Sequence, residues 1–167
     1  MIKVATTLEI SGGLLVGQDG SKASEEAVRW AAKLAKRLNT PLHVVRAWSI
    51  SSAPRPATAT GGYVPPMTDF EAAVLERLQS DIAAMELPSE VEVHCHVLHG
   101  QASRRLLEAS PQAEMLVVGT RGAGGFLGLG FGSTADQIVR HARRPVVVVP
   151  VTGSDDPPDL DSQLRHE

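Results

Sequence analysis

Three short runs of uninterrupted apolar residues recur along this chain: GLLVG at 13–17, MLVV at 115–118 and PVVVVPV at 145–151. A strand that is apolar on both faces must be covered on both faces. Between these runs lie stretches with helical spacing. Ser21 can cap a first helix that has Glu25 and Glu26 early, Lys36 and Arg37 late, and a stop at Asn39-Thr40-Pro41. Its apolar stripe reads Ala23, Ala27, Trp30, Ala31, Leu34 and Leu38. LHVVRAW at 42–48 is a second strand. Thr68-Asp69-Phe70-Glu71 reads as a capping box opening a helix that buries Phe70, Val74, Leu78, Ile82 and Met85. A third strand covers 91–98, a short helix 101–109 and a last helix 133–142.

Strands that alternate with helices require right-handed crossovers and a parallel sheet with helices on both sides. The third strand differs from the others. Val91, Val93, Cys95 and Val97 alternate with Glu92, His94 and His96, the pattern of an edge with one wetter face. The expectation is a single α/β domain, an open five-stranded parallel sheet of order 3-2-1-4-5. In such a sheet a ligand binds beyond the carboxyl ends of the strands, where the order reverses. Here that crevice lies between strands 1 and 4. It is bordered by Gly17-Gln18-Asp19-Gly20-Ser21 and by the segment that follows Val118.

That second segment is GTRGAGGFLGLGFGST. Seven of the fourteen residues from Gly119 to Gly132 are glycine, in a chain with fifteen in all. A strand, a glycine-rich loop and a helix start together aim backbone N–H groups at phosphate oxygens. No Gly-Lys-Ser/Thr follows, so the loop is not a Walker motif. The spacing is Gly119-x2-Gly122-x9-Gly132-Ser133. With Val16-Gly17-Gln18-Asp19-Gly20-Ser21, Leu42-His43-Val44-Val45 and Arg144-Pro145-Val146-Val147-Val148-Val149, it resembles the ATP-binding branch of the universal stress protein family. The resemblance runs from about Leu14 to Val151.

The family implies a Rossmann-like fold of the adenine nucleotide alpha hydrolase type, and ATP as ligand, alone or with Mg2+, with AMP or cyclic AMP as alternatives. It also implies roles for particular residues. Asp19 would bind the ribose or adenine side, with Gly17 and Gln18 beside it, and Val44 would lie against the adenine. Gly119, Gly122, Gly132, Ser133 and Thr134 would hold the phosphates, and Arg121 would pair with one. Gln18 stands where the family often has a small apolar residue. The same residues also have plainer readings: Ser133 with Asp136 as a helix-capping pair, and Asp19 as a turn residue.

Composition narrows the function. The net charge is −3, and the tail from Ser154 carries five acids against Arg165, so the remainder is close to neutral. That is no footprint for nucleic acid or an anionic membrane surface. Cys95 is the single cysteine, which excludes an internal disulfide and suits a reducing cytoplasm. No apolar run reaches membrane-spanning length, and the start lacks the apolar core of a signal peptide. The chain divides into an extension at 1–12, a nucleotide-binding domain at 13–152 and an acidic, disordered tail at 153–167. The polar, proline-rich stretch 49–67 is either a linker or a lid. His94, His96 and His99 lack a second ligand pair at zinc spacing, and the histidines of the edge strand are expected to point outward, with no metal site.

A Walker lysine, a paired-acid metal site and a general base are all missing, so the expected function is ATP-binding regulation in stress adaptation, with no catalytic residues. A slow adenine-nucleotide hydrolase and a cyclic AMP binder remain as alternatives on the same scaffold. The strand at 145–151 is apolar on both faces and lies at the second edge of the sheet. Such an edge invites pairing with another chain, and the family commonly dimerises there, so a homodimer is expected.

Overall fold

Five parallel strands form one sheet of order β3-β2-β1-β4-β5, the predicted arrangement. The elements follow each other as β1 (Leu14–Gly17), α1 (Lys22–Leu38), β2 (Leu42–Trp48), α2 (Met67–Ala84), β3 (Val93–His99), α3 (Ala102–Ala109), β4 (Met115–Gly119), α4 (Ser133–His141) and β5 (Val146–Val149). This is a computed structural model, and it describes residues 3–120 and 132–151. Arg121, Gly122 and the tail therefore lie outside the described residues.

Strand alternation sorts the core into two layers. Leu14, Val16, Leu42, Val44 and Val117 pack under α1 and α2. Leu15, Val45, Leu98, Leu116 and Val118 pack under α3 and α4. The runs at β1 and β4 are continuously apolar because both of their faces are covered.

Helix α1 departs from its predicted stripe. Ala23, Ala27 and Ala31 are buried as expected, but Trp30 is 38% exposed and Leu38 52%. Val28, Ala32 and Ala35 take the inner face instead. The cause is a close approach. A Cβ on Gly119 would stand 2.7 Å from the Ala23 carbonyl oxygen, so α1 rests almost directly on β4. Small side chains fit such a gap and an indole does not.

Two predicted caps are not formed. The helix α2 begins at Met67 behind Pro66, with no side-chain cap. Within its first turn Asp69 accepts from the Thr58 hydroxyl (2.7 Å), and Glu71 accepts from the Ala5 N–H (2.7 Å). Gly132 caps α4, so Ser133 is its first helical residue, and Asp136 pairs with Arg140 at 3.1 Å. Ser21 does cap α1, accepting from Ser24 N–H at 3.2 Å. The stretch before α2 is a hydrogen-bonded loop, turned at Ser49–Ser52 and anchored by buried Pro56 and Pro65. The N-terminal extension runs round the β3 edge. The Ala5 carbonyl accepts from His99 N–H (2.8 Å), Val4 packs on the α1/α2 layer, and Leu8 and Ile10 pack on the other.

The histidines of β3 do not simply face water. His94 and His96 lie on the same side as buried His43 of β2, whose Nδ1 is 3.0 Å from His96 Nε2, and the His43 and His94 rings stack at 5.1 Å. His43 Nε2 is buried without a partner among the described residues. Burial, with the neighbouring His43 and His94, pushes His96 down to about 4, and burial and His94 lower His43 too. An unfolded histidine takes up its proton near pH 6.5. The unfolded chain therefore binds more protons than the folded one between the two values, and stability is full above about pH 6.5 and falls toward pH 4. For these half-buried rings we expect a loss on the order of 2 kcal/mol across that window. Urea denaturation at pH 7 and pH 4.5 measures it, and His96→Gln should remove much of the difference. An equal loss in His96→Gln would locate the acid sensitivity elsewhere.

Candidate functional site

The candidate site lies at the carboxyl ends of β1 and β4. Beyond Gly17 the chain turns through Gln18-Asp19-Gly20-Ser21 into α1. The turn is held from within. Gln18 N–H donates to the Val45 carbonyl (2.9 Å), Ser21 N–H to Asp19 Oδ1 (2.9 Å) and Asp19 N–H to Ser24 Oγ (3.2 Å). Gly20 sits at φ +82°, a conformation that favours glycine. Asp19 thus serves its turn with one carboxylate oxygen while lining the crevice. Across from it, Thr120 N–H donates to the Val149 carbonyl (3.1 Å) and Gly132 N–H to the Thr120 carbonyl (2.7 Å). These bonds return the start of α4 to the end of β4, so that the intervening glycine-rich segment begins and ends at one place.

Between these two turns is a crevice with an apolar floor and a polar rim. Val45, Ala47, Leu106 and Val118 form much of the floor, and Asp19, Ser24 and Thr134 supply polar groups. Parallel topology puts three helix N-termini at this rim. The first turns of α1, α3 and α4 reach it through Ser24, Ala102 and Thr134. Each brings the positive end of a helix dipole. An anion against an apolar, planar group fits both halves of the crevice.

The sequence-predicted residues fall into four groups. Gly17, Gln18, Asp19, Gly119 and Thr134 line the crevice. Gly132 and Ser133 open α4 beside it, with Ser133 exposed. Arg121 and Gly122 are outside the described residues. Val44 is not brought to the crevice: its side chain is fully buried on the α1/α2 face. Its neighbours Val45 and Ala47, one phase away on β2, line the site instead. Among the described residues no three His, Cys, Asp or Glu side chains are placed to hold a metal ion.

The sequence profile described as the universal stress protein family matches residues 13–150. This chain belongs to that family. A universal stress protein of Mycobacterium tuberculosis is 33% identical over 156 residues, covering 83% of this chain and 48% of the relative. The chain spans about half the length of the curated relatives it matches. Two solved structures share the fold. A universal stress protein in complex with cAMP superposes with a TM-score of 0.57 at 22% identity, over 84% of this chain and 96% of the other. The Archaeoglobus fulgidus universal stress protein in complex with dAMP gives 0.55 at 22% identity, over 84% and 99%.

The sequence reading of this universal stress protein missed Ser24, Val45, Ala47, Ala102 and Leu106 as lining residues. For Val45 and Ala47 a signal existed. On β2 the polar His43 and Arg46 fall on opposite faces, so the two phases of the strand are distinguishable, and the likeness at LHVV pointed to Val44, whose side chain lies on the other face. Ala102 and Leu106 carry no such signal, because their position depends on how α3 packs.

Proposed function

We propose that this universal stress protein binds an adenine nucleotide in the crevice, with ATP as its physiological ligand, and acts as a regulatory protein in stress adaptation. The observation that supports this reading most is the convergence of three helix N-termini on an apolar-floored crevice. The termini suit phosphates and the floor suits a base. The cAMP and dAMP complexes of its fold relatives point to the same ligand class. In this reading Gly119, Gly122, Gly132, Ser133 and Thr134 hold the phosphates, and Arg121 pairs with one. Gly17, Gln18 and Asp19 face the nucleoside, and Ala47 replaces Val44 as the strand β2 contact to the base. Mg2+ would enter with the ATP phosphates. Hydrolysis is no part of the proposal.

The protein would work in the cytoplasm as a homodimer joined through the outer edge of β5. Its exposed apolar residues support this. Helix α1 packs against β5, and its Trp30 is exposed. Exposed Val139 of α4 and Val151 lie on and after the elements that pack on that strand.

Mass spectrometry of ligand released from the purified protein tests the reading directly. The cAMP complex of a fold relative motivates one rival, and competition between ATP and cAMP decides between them. A second test concerns Asp19. If it reads the nucleoside, Asp19→Ala weakens ATP and AMP by similar factors, about tenfold each for a lost charged hydrogen bond. Calorimetric titration checks this, and a loss seen with ATP but not AMP would assign Asp19 to the phosphates.

A further inference from the structure

We propose that Gln18, Arg46 and Asp81 form a positioning network that sets the nucleoside end of the crevice and ties nucleotide affinity to helix α2. The proposal rests on the adenine-nucleotide reading above. Gln18 is 95% buried and stands between the crevice and a second hollow on the α2 side, lined by Ser21, Glu25, Arg77 and Asp81. Its amide could turn to either side. It is held on the α2 side, where Nε2 donates to Asp81 Oδ2 at 3.1 Å and Oε1 accepts from Arg46 Nη1 at 3.4 Å. Arg46 Nη1 is itself 3.6 Å from Asp81 Oδ2, and Arg77 Nε donates to Asp81 Oδ1 at 3.1 Å. One carboxylate on α2 therefore gathers the residue that follows β1, one from β2 and one from its own helix.

The network lies directly under the turn that carries Asp19. A Cβ on Gly20 would be 3.6 Å from the Arg46 guanidinium, so the turn rests on that group. Arg46 and Asp81 keep only 16% and 23% of their side-chain surface exposed. At that burial an ion pair is poorly replaced by water, and losing one partner leaves the other charge uncompensated. Without Asp81 the guanidinium must find another acceptor and the Gln18 amide loses its fixed orientation. Both changes fall on the residue before Asp19, while the core beneath α2 is untouched.

The structure supplies the partners that hold the Gln18 amide. The side-chain amide is bonded to Asp81 and Arg46, while residue 18 also lines the crevice. The nucleoside end is thus shaped by a polar lock that a small apolar residue could not make.

Calorimetric titration of AMP into wild type, Asp81→Ala, Asp81→Asn, Gln18→Ala and the double Gln18→Ala/Asp81→Ala protein tests this, with circular dichroism to confirm folding. We expect Asp81→Ala to weaken AMP about fivefold, the scale of one hydrogen bond. Asp81→Asn keeps an acceptor for the Gln18 amide but loses the charge facing Arg46, so it should weaken AMP less than Asp81→Ala does. The two alanine substitutions should not add, because each removes the same lock. A folded Asp81→Ala protein with wild-type affinity, or losses that add, would overturn the network. Should Asp81→Ala fail to fold, Gln18→Ala and Asp81→Asn decide the matter: Gln18→Ala must weaken AMP, and Asp81→Asn must weaken it by less. A wild type that binds no adenine nucleotide would sink the nucleotide reading and the network with it. Binding by wild type with an indifferent Asp81 would sink the network alone.

Discussion

Gly119→Ala is expected to lose about 2 kcal/mol of folding stability, and Gly119→Val more. The added Cβ would stand 2.7 Å from the Ala23 carbonyl oxygen and 2.8 Å from its carbon. Both are backbone atoms, so no rotamer change relieves the clash, and α1 must lift off β4. That movement also carries Ser24 away from the crevice it lines. Urea denaturation should show the lower midpoint, and titration with AMP a weaker complex. Gly132→Val makes the informative contrast. Gly132 has φ −65° and ψ 161°, a conformation open to any residue, and its N–H bond to Thr120 survives substitution. The valine protein should therefore fold, yet its side chain would project from a residue that the proposed function assigns to the phosphates. Unchanged ATP affinity in folded Gly132→Val would remove the glycine loop from the binding site. Wild-type stability in Gly119→Ala would mean that α1 has room the structure does not show.

Light scattering should report twice the chain mass of 17.7 kDa for the wild type, and a single chain mass for Val147→Lys. The ladder explains the edge. Leu116 N–H bonds the Pro145 carbonyl and Thr120 N–H bonds the Val149 carbonyl, so residues 145, 147 and 149 turn their backbone groups toward β4. The N–H and C=O groups of Val146 and Val148 consequently point outward, away from β4. Pro150 has no N–H on that outward side, which ends the pairing without blocking it. Two copies of β5 set antiparallel about a two-fold axis would satisfy these groups and form a closed interface. Val147 also packs against the α1/α2 layer, so its lysine variant could lose stability as well as pairing. Val148→Pro separates the two effects, because it deletes an outward donor and leaves the β4 ladder intact. A monomeric wild type at tens of micromolar, or a Val148→Pro protein that remains dimeric, would rule out pairing through this edge.

How much of this was legible beforehand depended on whether a feature is local to the chain. Uninterrupted apolar runs at β1 and β4 and the alternation of Val93, Cys95 and Val97 on β3 report coverage of each strand face directly, so the sheet order followed from the residues. Ser21 was legible as a cap because its bond to Ser24 spans three residues. Asp19 and Gly119 were legible because strand ends and their following turns are written consecutively.

The sequence alone determined a parallel α/β sheet, its order and the two turns that frame the crevice. Only the tertiary structure decided which side chains fill the space between them. The Trp30 stripe was attractive on hydrophobicity, yet the distance from α1 to Gly119 admits alanines and turns the indole out. Glu71 had the spacing of a capping box, but a backbone N–H sixty-six residues away claimed its carboxylate. Val44 and Ala47 differ only in which side of β2 meets α3, and Gln18 acquires its meaning from Asp81 on a helix that no local pattern brings near it. Periodicity along a chain encodes which face is buried. The separation between packed elements, and the partner a polar group finds there, arise from the packing of the whole domain.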